Sequence, residues 1–370
     1  MTKKTKIVYD KLREAIMNLP PNTRIPPIRD LMKKYRVSQS VIDSVLQSLR
    51  KEGLLISYVG DGTYTLSSDY NNSSKILTEQ YKIAIVIPDY PSAYVAKYAK
   101  VLFDTTSING MIPELIQMKS DSQLKNHISH GRYDAIIIFP RRFPIDLKEL
   151  LYLKTLMVPV VVVESNLQSI GFDSVSIDDE MAGVIAASHL INLGHRKLAI
   201  FDPEPPTTII ELRKNGFLKH CSLNGIKNVS LFSAETKYGD DATLKAYTSF
   251  KRIISEGIDF TALFCLSEIP VAGILKAASE SNLKIPQDLS IIAVGALSDS
   301  AYFSVALSLV WQDIEACAEA ALKMILSRLE GDKSPTKWVS IMPELALRES
   351  TMPLKLSNRD DSLVTMGRES

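Results

Sequence analysis

Two neighbouring sets of polar side chains in residues 26–55 have the chemistry of a nucleic-acid binding surface. The first set is basic and comprises Arg29, Lys33, Lys34 and Arg36. Such side chains contact phosphate groups, which position a protein on DNA and make its affinity depend on salt. The second set follows at once and comprises Gln39, Ser40, Asp43 and Ser44. Because Gln can pair with adenine, Asp with cytosine and Ser with several bases, these residues are predicted to contact base edges.

Apolar residues at helical spacing predict the two helices that present these side chains. The first helix has an apolar face made of Ile28, Leu31 and Met32, and the second has a stripe made of Val41, Ile42, Val45, Leu46 and Leu49. Only Arg36-Val37-Ser38 joins them, and Ser38 is available to cap the second helix, which is the arrangement of a helix-turn-helix. Two short strand patterns follow around Asp61-Gly62, a favoured hairpin turn, so Gly62 is predicted to lie in a DNA-contacting wing.

The charge distribution bears on the competing interpretation, a solvated helical hairpin followed by an ordinary β-hairpin. Residues 1–66 hold 12 Lys and Arg against 6 Asp and Glu, whereas the remainder of the chain is net acidic. Because residues 1–66, the head, are basic and the rest of the chain, the body, is acidic, we expect a polyanion to bind the head and not the body. We therefore expect residues 1–67 to form a winged helix-turn-helix that binds double-stranded operator DNA.

The chain changes character after a stretch rich in Ser and Asn, which is predicted to be a linker at residues 68–80. Short β-branched runs such as "KIAIVI" and "VPVVVV" then alternate with longer helical patterns. Unbroken apolar runs are typical of strands covered on both faces, and so predict an α/β fold with parallel sheets. The number of such units favours two lobes, spanning residues 81–353. Residues 354–370 have little to bury and are predicted to be a disordered tail.

Two arginine positions in the body are candidates for binding a small ligand. Arg213 lies on the same helical face as Ile210 and Phe217, so it either extends along that face to solvent or points into a cleft. Its planar fork suits vicinal hydroxyls or a carboxylate. Arg141 follows an apolar strand pattern, and open α/β sheets bind ligands at the carboxyl ends of their strands. A solvated pair with Arg142 is nevertheless the better single interpretation of Arg141.

The head resembles the GntR-type winged helix over residues 5–66. Ile25 to Met32 match the family's "LPS-x-R-x-LA" segment, Val37 to Leu54 match its "VSR-x-TVR-x-AL-x-x-L-x-x-EGL" segment, and Gly60 to Thr63 match its "G-x-GT" wing. The resemblance implies that Arg29 anchors the DNA.

The head also departs from that family at three positions. Gln39 and Asp43 stand where the family usually has Arg, and Asp61 replaces a common basic residue of the wing. These departures imply weaker non-specific affinity for DNA and a different operator sequence.

The body, from residue 82 to about 353, resembles the periplasmic-binding-like effector domain of LacI-type repressors. The matching stretches include "VSIDDEMAGVIAASHLINLGHRKLAIF", "ELRKNGF" and "TALFCLSEIPVAGILKAASESNLKIPQDLSIIAVG", in the family's order and spacing. The resemblance implies a small effector, most often a sugar or sugar derivative, bound between two lobes that are joined by three crossovers. It also implies a homodimer in which lobe closure is transmitted to the two DNA heads.

The same resemblance implies which residues of the body reach the effector. Arg213 coincides with the Arg of the family's "R-x-x-GF" motif. Asp89 and Tyr94 lie where the family places cleft residues, although loop-capping roles are equally open for both. Glu268 replaces the Asp of a usual Asn/Ser-Asp pair, and Ala293-Val294-Gly295 replaces a "GFD" whose Asp binds sugar hydroxyls. These departures imply either a modified or phosphorylated sugar or a pocket that has lost its ligand.

Enzymes and transport proteins are the competing classes of function. The sequence has no P-loop, zinc-protease, nucleophile-elbow or dinucleotide-binding motif, and its 5 histidines are scattered, so no catalytic, metal or cofactor site is expected. No stretch is apolar enough to cross a bilayer, and the charged N-terminus lacks a signal-peptide core, which predicts a cytoplasmic protein without a membrane partner. A ligand-independent DNA-binding dimer stays open as an alternative. A cytoplasmic sugar-binding protein or an enzyme is less favoured, because neither explains the basic head.

Overall fold

The computed structural model describes residues 3–17, 19, 23–51, 54–58, 62–65, 81–89, 92–119, 123–129, 131–140, 146–237 and 239–354. The chain forms two compact units, Met1–Gln80 and Tyr81–Ser370, which we call the head and the body. The predicted linker at 68–80 lies outside the described residues, as does the predicted tail from residue 355 onward. Leu354 donates its amide hydrogen to the Leu193 carbonyl at 2.8 Å, so this first residue of the predicted tail belongs to the body.

The head consists of three helices and a two-stranded antiparallel hairpin. Its elements are α1 (Lys3–Met17), α2 (Ile28–Tyr35), α3 (Gln39–Lys51), β1 (Leu55–Tyr58) and β2 (Gly62–Thr65). The apolar stripe predicted for α3 is buried, with Ile42, Val45 and Leu49 packed against Leu31 of α2 and Leu12 of α1. This arrangement confirms the predicted winged helix-turn-helix.

The turn between α2 and α3 consists of the three predicted residues, Arg36, Val37 and Ser38. Arg36 adopts a left-handed conformation with φ 53° and ψ 52°, and its amide donates to the Met32 carbonyl. A left-handed residue stops a helix abruptly, and it is uncommon for any residue other than glycine. The reversal at Arg36 therefore sets the direction in which α3 leaves α2.

The body consists of two lobes, each built on a six-stranded sheet. The first lobe contains β3 (Lys82–Pro88), β4 (Ile112–Met118), β5 (Ala135–Ile138), β6 (Val160–Val163), β7 (Asp173–Ile177) and β13 (Trp338–Ile341), with α4 (Ala93–Ile108), α5 (Leu147–Thr155) and α10 (Ile314–Leu329). The second lobe contains β8 (Leu198–Asp202), β9 (Val229–Ser233), β10 (Ala262–Cys265), β11 (Ser290–Gly295), β12 (Ser308–Trp311) and β14 (Glu344–Ala346), with α6 (Asp179–Asn192), α7 (Thr208–Leu223), α8 (Ala242–Glu256) and α9 (Val271–Glu280). Short 3₁₀ turns span Leu124–Asn126, Gln168–Ile170 and Ser298–Tyr302.

Both sheets have the topology that parallel α/β sequence patterns predict. The strand orders are β13-β7-β6-β5-β3-β4 and β14-β12-β11-β10-β8-β9, and every pairing is parallel except β12 with β14. The strand order reverses at β3 in one sheet and at β8 in the other. At such reversals the connections leave toward opposite faces, which opens a crevice at the carboxyl ends of the strands.

The chain crosses between the two lobes three times. The crossovers run from β7 to α6, from β12 to α10 and from β13 to β14. Three crossovers are what the resemblance to LacI-type effector domains implies, and the two-lobed prediction is confirmed.

Helices α6 and α7 pack unusually closely in the second lobe because each contributes a glycine to their contact. A Cβ atom on Gly183 would lie 2.0 Å from the backbone oxygen of Arg213, and one on Gly216 would lie 1.9 Å from that of Glu180. This close approach places the first turn of α6, with Asp179, beside Arg213 of α7.

Candidate functional site

The head exposes basic side chains on α2 and on the turn that follows it. These residues are Arg29, Lys33, Lys34 and Arg36, and none of them forms an ion pair with another described residue. Arg29, Lys33 and Arg36 line a shared shallow groove together with Ser38, whereas Lys34 lies over the ring of Tyr35. Because no carboxylate of the described chain neutralises these groups, the surface is able to contact phosphates.

The N-terminal turn of α3 begins beside this basic surface. Gln39 and Ser44 are exposed, as predicted for residues that contact base edges. Ser40 and Asp43 lie on the same helix, but their side chains are outside the described part of the chain, and so is Asp61 in the wing. Gly62 begins β2 and pairs with Tyr58.

A cleft of about 500 Å³ opens between the two lobes of the body. Residues of the first lobe that line it include Ser92, Tyr94, Phe139, Pro140 and Glu164. Residues of the second lobe include Glu204, Thr207, Arg213, Thr236, Ser267, Glu268, Gly295 and Leu297, and Gln312 lines it from the second crossover. Most of them follow the carboxyl ends of parallel strands or begin the next helix, which is where sheets of this topology bind ligands.

Arg213 lines the cleft from α7, and its guanidinium forms hydrogen bonds with two other groups of the second lobe. Its Nε donates to Asp179 Oδ1 at 2.7 Å, and its Nη1 donates to the Leu266 carbonyl at 2.8 Å. Both side chains of this ion pair are buried. Burial raises the pKa of Asp179, and the Arg213 guanidinium offsets part of that rise. Arg213 is thus held in one orientation by groups of the protein itself.

Glu164 follows β6 and is the most perturbed acid of the cleft. Its side chain is 3% exposed, and its backbone has a positive φ of 62°. Burial, with the negative charge of Asp179, raises its pKa to about 8, and Arg213 and the nearby Tyr94 hydroxyl offset only part of the rise. Neither Glu164 Oε1 nor the Tyr94 hydroxyl makes a well-formed hydrogen bond to a described residue.

Glu268 and Glu204 lie on the second-lobe side. Glu268 Oε2 accepts hydrogen bonds from the amides of Ala296 and Leu297, both at 2.9 Å. A Cβ atom on Gly295 would lie 2.0 Å from that same oxygen, so the Glu268 carboxylate fills the space that a side chain at position 295 would need. Glu204 accepts a hydrogen bond from the Ser267 hydroxyl at 2.9 Å. Burial raises the pKa of both Glu268 and Glu204.

The described part of the chain contains neither a candidate metal site nor a candidate membrane-spanning helix. Its His, Cys, Asp and Glu residues form no group of three or more that could hold a metal ion. None of its helices combines the length and the apolar character that a membrane span requires.

Comparison with known families identifies the type of both units. Residues 4–65 match a family model described as "Bacterial regulatory proteins, gntR family", and residues 187–351 match one described as "Periplasmic binding protein-like domain". The chain is a GntR-type regulator with a periplasmic-binding-like domain. Its head is therefore a DNA-binding domain, and the cleft belongs to a domain type named for ligand-binding proteins.

Known relatives and solved structures are similar to this chain over most of its length. The HTH-type transcriptional repressor PurR of Mannheimia succiniciproducens is 23% identical over 337 residues, which cover 87% of this chain and 98% of the repressor. A LacI family regulator from Enterococcus faecium, solved with bound ribose, has a TM-score of 0.63 at 21% identity. The match covers 74% of this chain and 100% of the regulator's chain. A lac repressor dimer bound to operator has a TM-score of 0.64 at 16% identity. The match covers 78% of this chain and 100% of the lac repressor chain.

The periplasmic-binding-like domain brings together some of the predicted site residues and not others. Tyr94, Arg213 and Glu268 all line the cleft. Asp89 does not, because it is exposed at the end of β3, where its amide donates to the Met118 carbonyl. Its prediction as a cleft residue is therefore not supported by its position. Arg141 lies outside the described residues.

Sequence reasoning missed two residues that lie deep in the cleft, Glu164 and Gln312. Glu164 comes directly after the run "VPVVVV", so the rule that selected Arg141 at a strand's carboxyl end also applied to it. Gln312 carries no such signal, because it lines the cleft only through the crossover between β12 and α10.

Proposed function

We propose that this protein is a transcriptional regulator that binds operator DNA through its head and a small polar effector in the cleft of its body. The observation that carries the proposal is the cleft of about 500 Å³ between two lobes, in one chain with a GntR-type winged helix. That volume lies in the range of small-molecule sites. The similar structures with bound ribose and bound operator support a sugar-like effector and a DNA partner.

The coupling between the two units follows from general thermodynamics. An effector shifts DNA affinity only by its preference for one lobe arrangement over another, and such couplings typically amount to about 1–3 kcal/mol. Three crossovers between the lobes allow them to open and close as rigid bodies. The proposal involves no catalysis, cofactor or metal.

A homodimer is the assembly that we propose for DNA binding, because one head offers few base contacts and two heads suit a site with two-fold symmetry. The first lobe has a suitable apolar edge. On α4 and the edge strand β4, the apolar residues Phe103, Ile108, Ile112 and Leu115 are exposed, and Ile108 is 84% exposed. Exposed apolar side chains that cluster on a surface often mark protein contacts.

Selection of duplexes from a random DNA pool by the full-length protein tests the proposal. We expect an enriched motif with imperfect two-fold symmetry, whose affinity changes when an effector is found by thermal-shift screening of polar metabolites. The variant Arg29→Ala/Lys33→Ala should enrich no motif while its body unfolds at the wild-type temperature. Enrichment of the same motif by this variant would contradict the assignment of the DNA-binding surface.

A further inference from the structure

Unsatisfied polar atoms gather in the cleft. In the described part of the chain, seven buried side-chain atoms make no well-formed hydrogen bond, and four of them belong to cleft residues: Tyr94 OH, Glu164 Oε1, Glu268 Oε1 and Gln312 Nε2. Tyr94 is near Glu164 and Ser300 is near Glu268, and each neighbour lowers the pKa of that carboxyl. Buried polar atoms are almost always paired in native proteins. Glu164, Glu268 and Gln312 are each at most 3% exposed, so bulk water does not supply the partners. The two carboxylate oxygens among these four atoms call for donors on a ligand, and the Gln312 amide calls for an acceptor.

Only one cation of the described residues, Arg213, lies near the two buried carboxyl groups of Glu164 and Asp179. Glu164 and Asp179 are both buried near Arg213, and Arg213 already gives its Nε to Asp179 and its Nη1 to the Leu266 carbonyl. The other groups that face Glu164 are Tyr94 and Tyr98 from α4 and Cys317 from α10. Burial raises the pKa of all three, so none ionises near neutral pH. Nothing in the described part of the chain therefore balances an ionised Glu164.

The remainder of the cleft is acidic as well. Its described lining contains five carboxylates, which are Glu164, Glu204, Asp240, Asp241 and Glu268, against the two cations Arg213 and Lys237. With Arg213 committed to Asp179, a phosphate group would meet mainly negative charge among the described lining residues, which do not include Arg141 and Arg142. This distribution disfavours the phosphorylated sugar that the sequence left open.

We infer that the effector carries a protonated amine, whose ammonium group binds beside Glu164 and Tyr94 while hydroxyls of the same molecule pair with Glu268 and Gln312. The ligand class is an amine-bearing polyol of monosaccharide size, such as an amino sugar. An ammonium supplies the missing charge and several donors at once, and charge-assisted hydrogen bonds are roughly twice as strong as neutral ones. The inference rests on the proposed function, because it assumes that the cleft is an effector site.

Proton release distinguishes an amine from a neutral sugar. With its pKa raised to about 8, Glu164 is mostly protonated at pH 7 in the free protein. An ammonium beside it favours the carboxylate, so binding of the protonated amine should release a large part of one proton from Glu164 at pH 7 and should strengthen severalfold from about pH 6 to pH 7. A neutral sugar leaves Glu164 protonated and should show neither effect.

The experiment is calorimetry of the full-length protein with matched hexose triples in two buffers of different ionisation enthalpy. Each triple contains the hexosamine, the parent hexose and the hexose 6-phosphate of the glucose, galactose or mannose series. In the series that binds, we expect the amine to bind at least tenfold more tightly than the hexose, with proton release, and the phosphate to bind most weakly. Tighter binding of the hexose or the phosphate would overturn the inference and leave the proposed function standing. Binding by no compound at millimolar concentration would overturn the inference, whereas the proposed function is tested separately by the metabolite screen and the selection of DNA.

Variants of Glu164 test the assigned residue. Glu164→Gln copies the protonated form without the cost of protonating a carboxylate, so at pH 7 it should unfold at or above the wild-type temperature but lose both the preference for the amine and the proton release. Glu164→Asp should keep proton release with weaker binding. The matched control Glu211→Gln makes the same chemical change on α7, outside the cleft lining, and should behave as wild type. Retention of amine preference by a folded Glu164→Gln would overturn the inference.

Discussion

Arg213 and Asp179 form a buried ion pair that joins the first turn of α6 to the middle of α7, with Nε and Oδ1 2.7 Å apart. The pair lies 34 positions apart in the sequence and depends on the close crossing of the two helices at Gly183 and Gly216. Arg213 was predicted to bind the effector, but the pair also gives it a structural role. A mutation of Arg213 therefore changes the stability of the body as well as the cleft.

Arg213→Ala should lower the free energy of unfolding by about 3–5 kcal/mol, because it leaves the Asp179 carboxylate buried without its partner. Urea unfolding followed by circular dichroism measures the loss. Adding Asp179→Asn should restore part of the stability, since the uncompensated charge disappears. The control Lys214→Ala removes a partly exposed ion pair with Glu211 and should change stability by less than about 1 kcal/mol. Equal effects of the Arg213 and Lys214 variants would contradict a structural role for the buried pair.

Gly183→Ala should destabilise the body by about 3 kcal/mol or more, because the new Cβ meets the backbone of α7 and neither helix has a flexible atom to move aside. Gly216→Ala should act similarly through the backbone of Glu180. Thermal unfolding reports both effects. Asn215→Ala, at an exposed neighbouring position on α7, is the control and should stay within about 0.5 kcal/mol of wild type.

Arg29→Ala should weaken binding to operator and to unrelated DNA alike and should reduce the salt slope by about 1, because a phosphate contact is lost. Gln39→Ala should instead relax the preference at one base pair by about 1–3 kcal/mol. Titrations of both duplexes at two salt concentrations separate these outcomes. Lys11→Ala removes the same charge from α1 and serves as the control. If Arg29→Ala left both affinities intact, the DNA-binding surface would lie elsewhere on the head.

Acidification should weaken the contribution of His195 to the stability of the body, whereas protonation of Glu164 acts in the opposite direction. This side chain is buried, with its ring nitrogens bonded to the Thr261 hydroxyl at 2.9 Å and the Met352 carbonyl at 3.1 Å. Burial lowers its pKa below 6.5, so the folded state holds the neutral form and the unfolded state takes up the proton first. The contribution of His195 is therefore full above about pH 6.5 and falls as the pH drops below it.

Melting temperatures between pH 7.5 and 5.5 measure this dependence. His195→Asn should have a lower melting temperature at pH 7.5, and on acidification its melting temperature should fall less, or rise more, than that of wild type. His220→Asn, at a partly exposed position on α7, is the control and should leave the slope unchanged. An unaltered slope in His195→Asn would assign the acid sensitivity to other groups.

Ile108→Glu/Leu115→Glu should shift the full-length protein from dimer to monomer and weaken operator binding, because it places charges on the exposed apolar edge formed by α4 and β4. Sedimentation velocity measures the assembly state. Leu151→Glu changes an equally exposed apolar residue on α5, which packs on the opposite face of the same sheet, and should leave the dimer intact. A dimer that persists in the double variant would place the interface elsewhere.

The sequence by itself determined the elements and their arrangement into two units, because burial leaves a periodic record in a chain. The α3 stripe that includes Ile42, Val45 and Leu49 is buried as its helical spacing predicts. The run "VPVVVV" forms a central strand because both faces of β6 are covered. The bounds of the turn between α2 and α3 also follow from local pattern alone.

Tertiary structure decided the partners of the polar groups, because those depend on residues that are distant in sequence. Asp178 and Asp179 are identical in type and adjacent at the start of α6, yet Asp178 caps the helix by accepting from the Met181 amide, while Asp179 turns inward to Arg213. Asp89 and Glu164 both follow strands of the first sheet, yet only Glu164 lines the cleft. Periodicity records which face of an element is buried, whereas the register between elements decides which charge meets which.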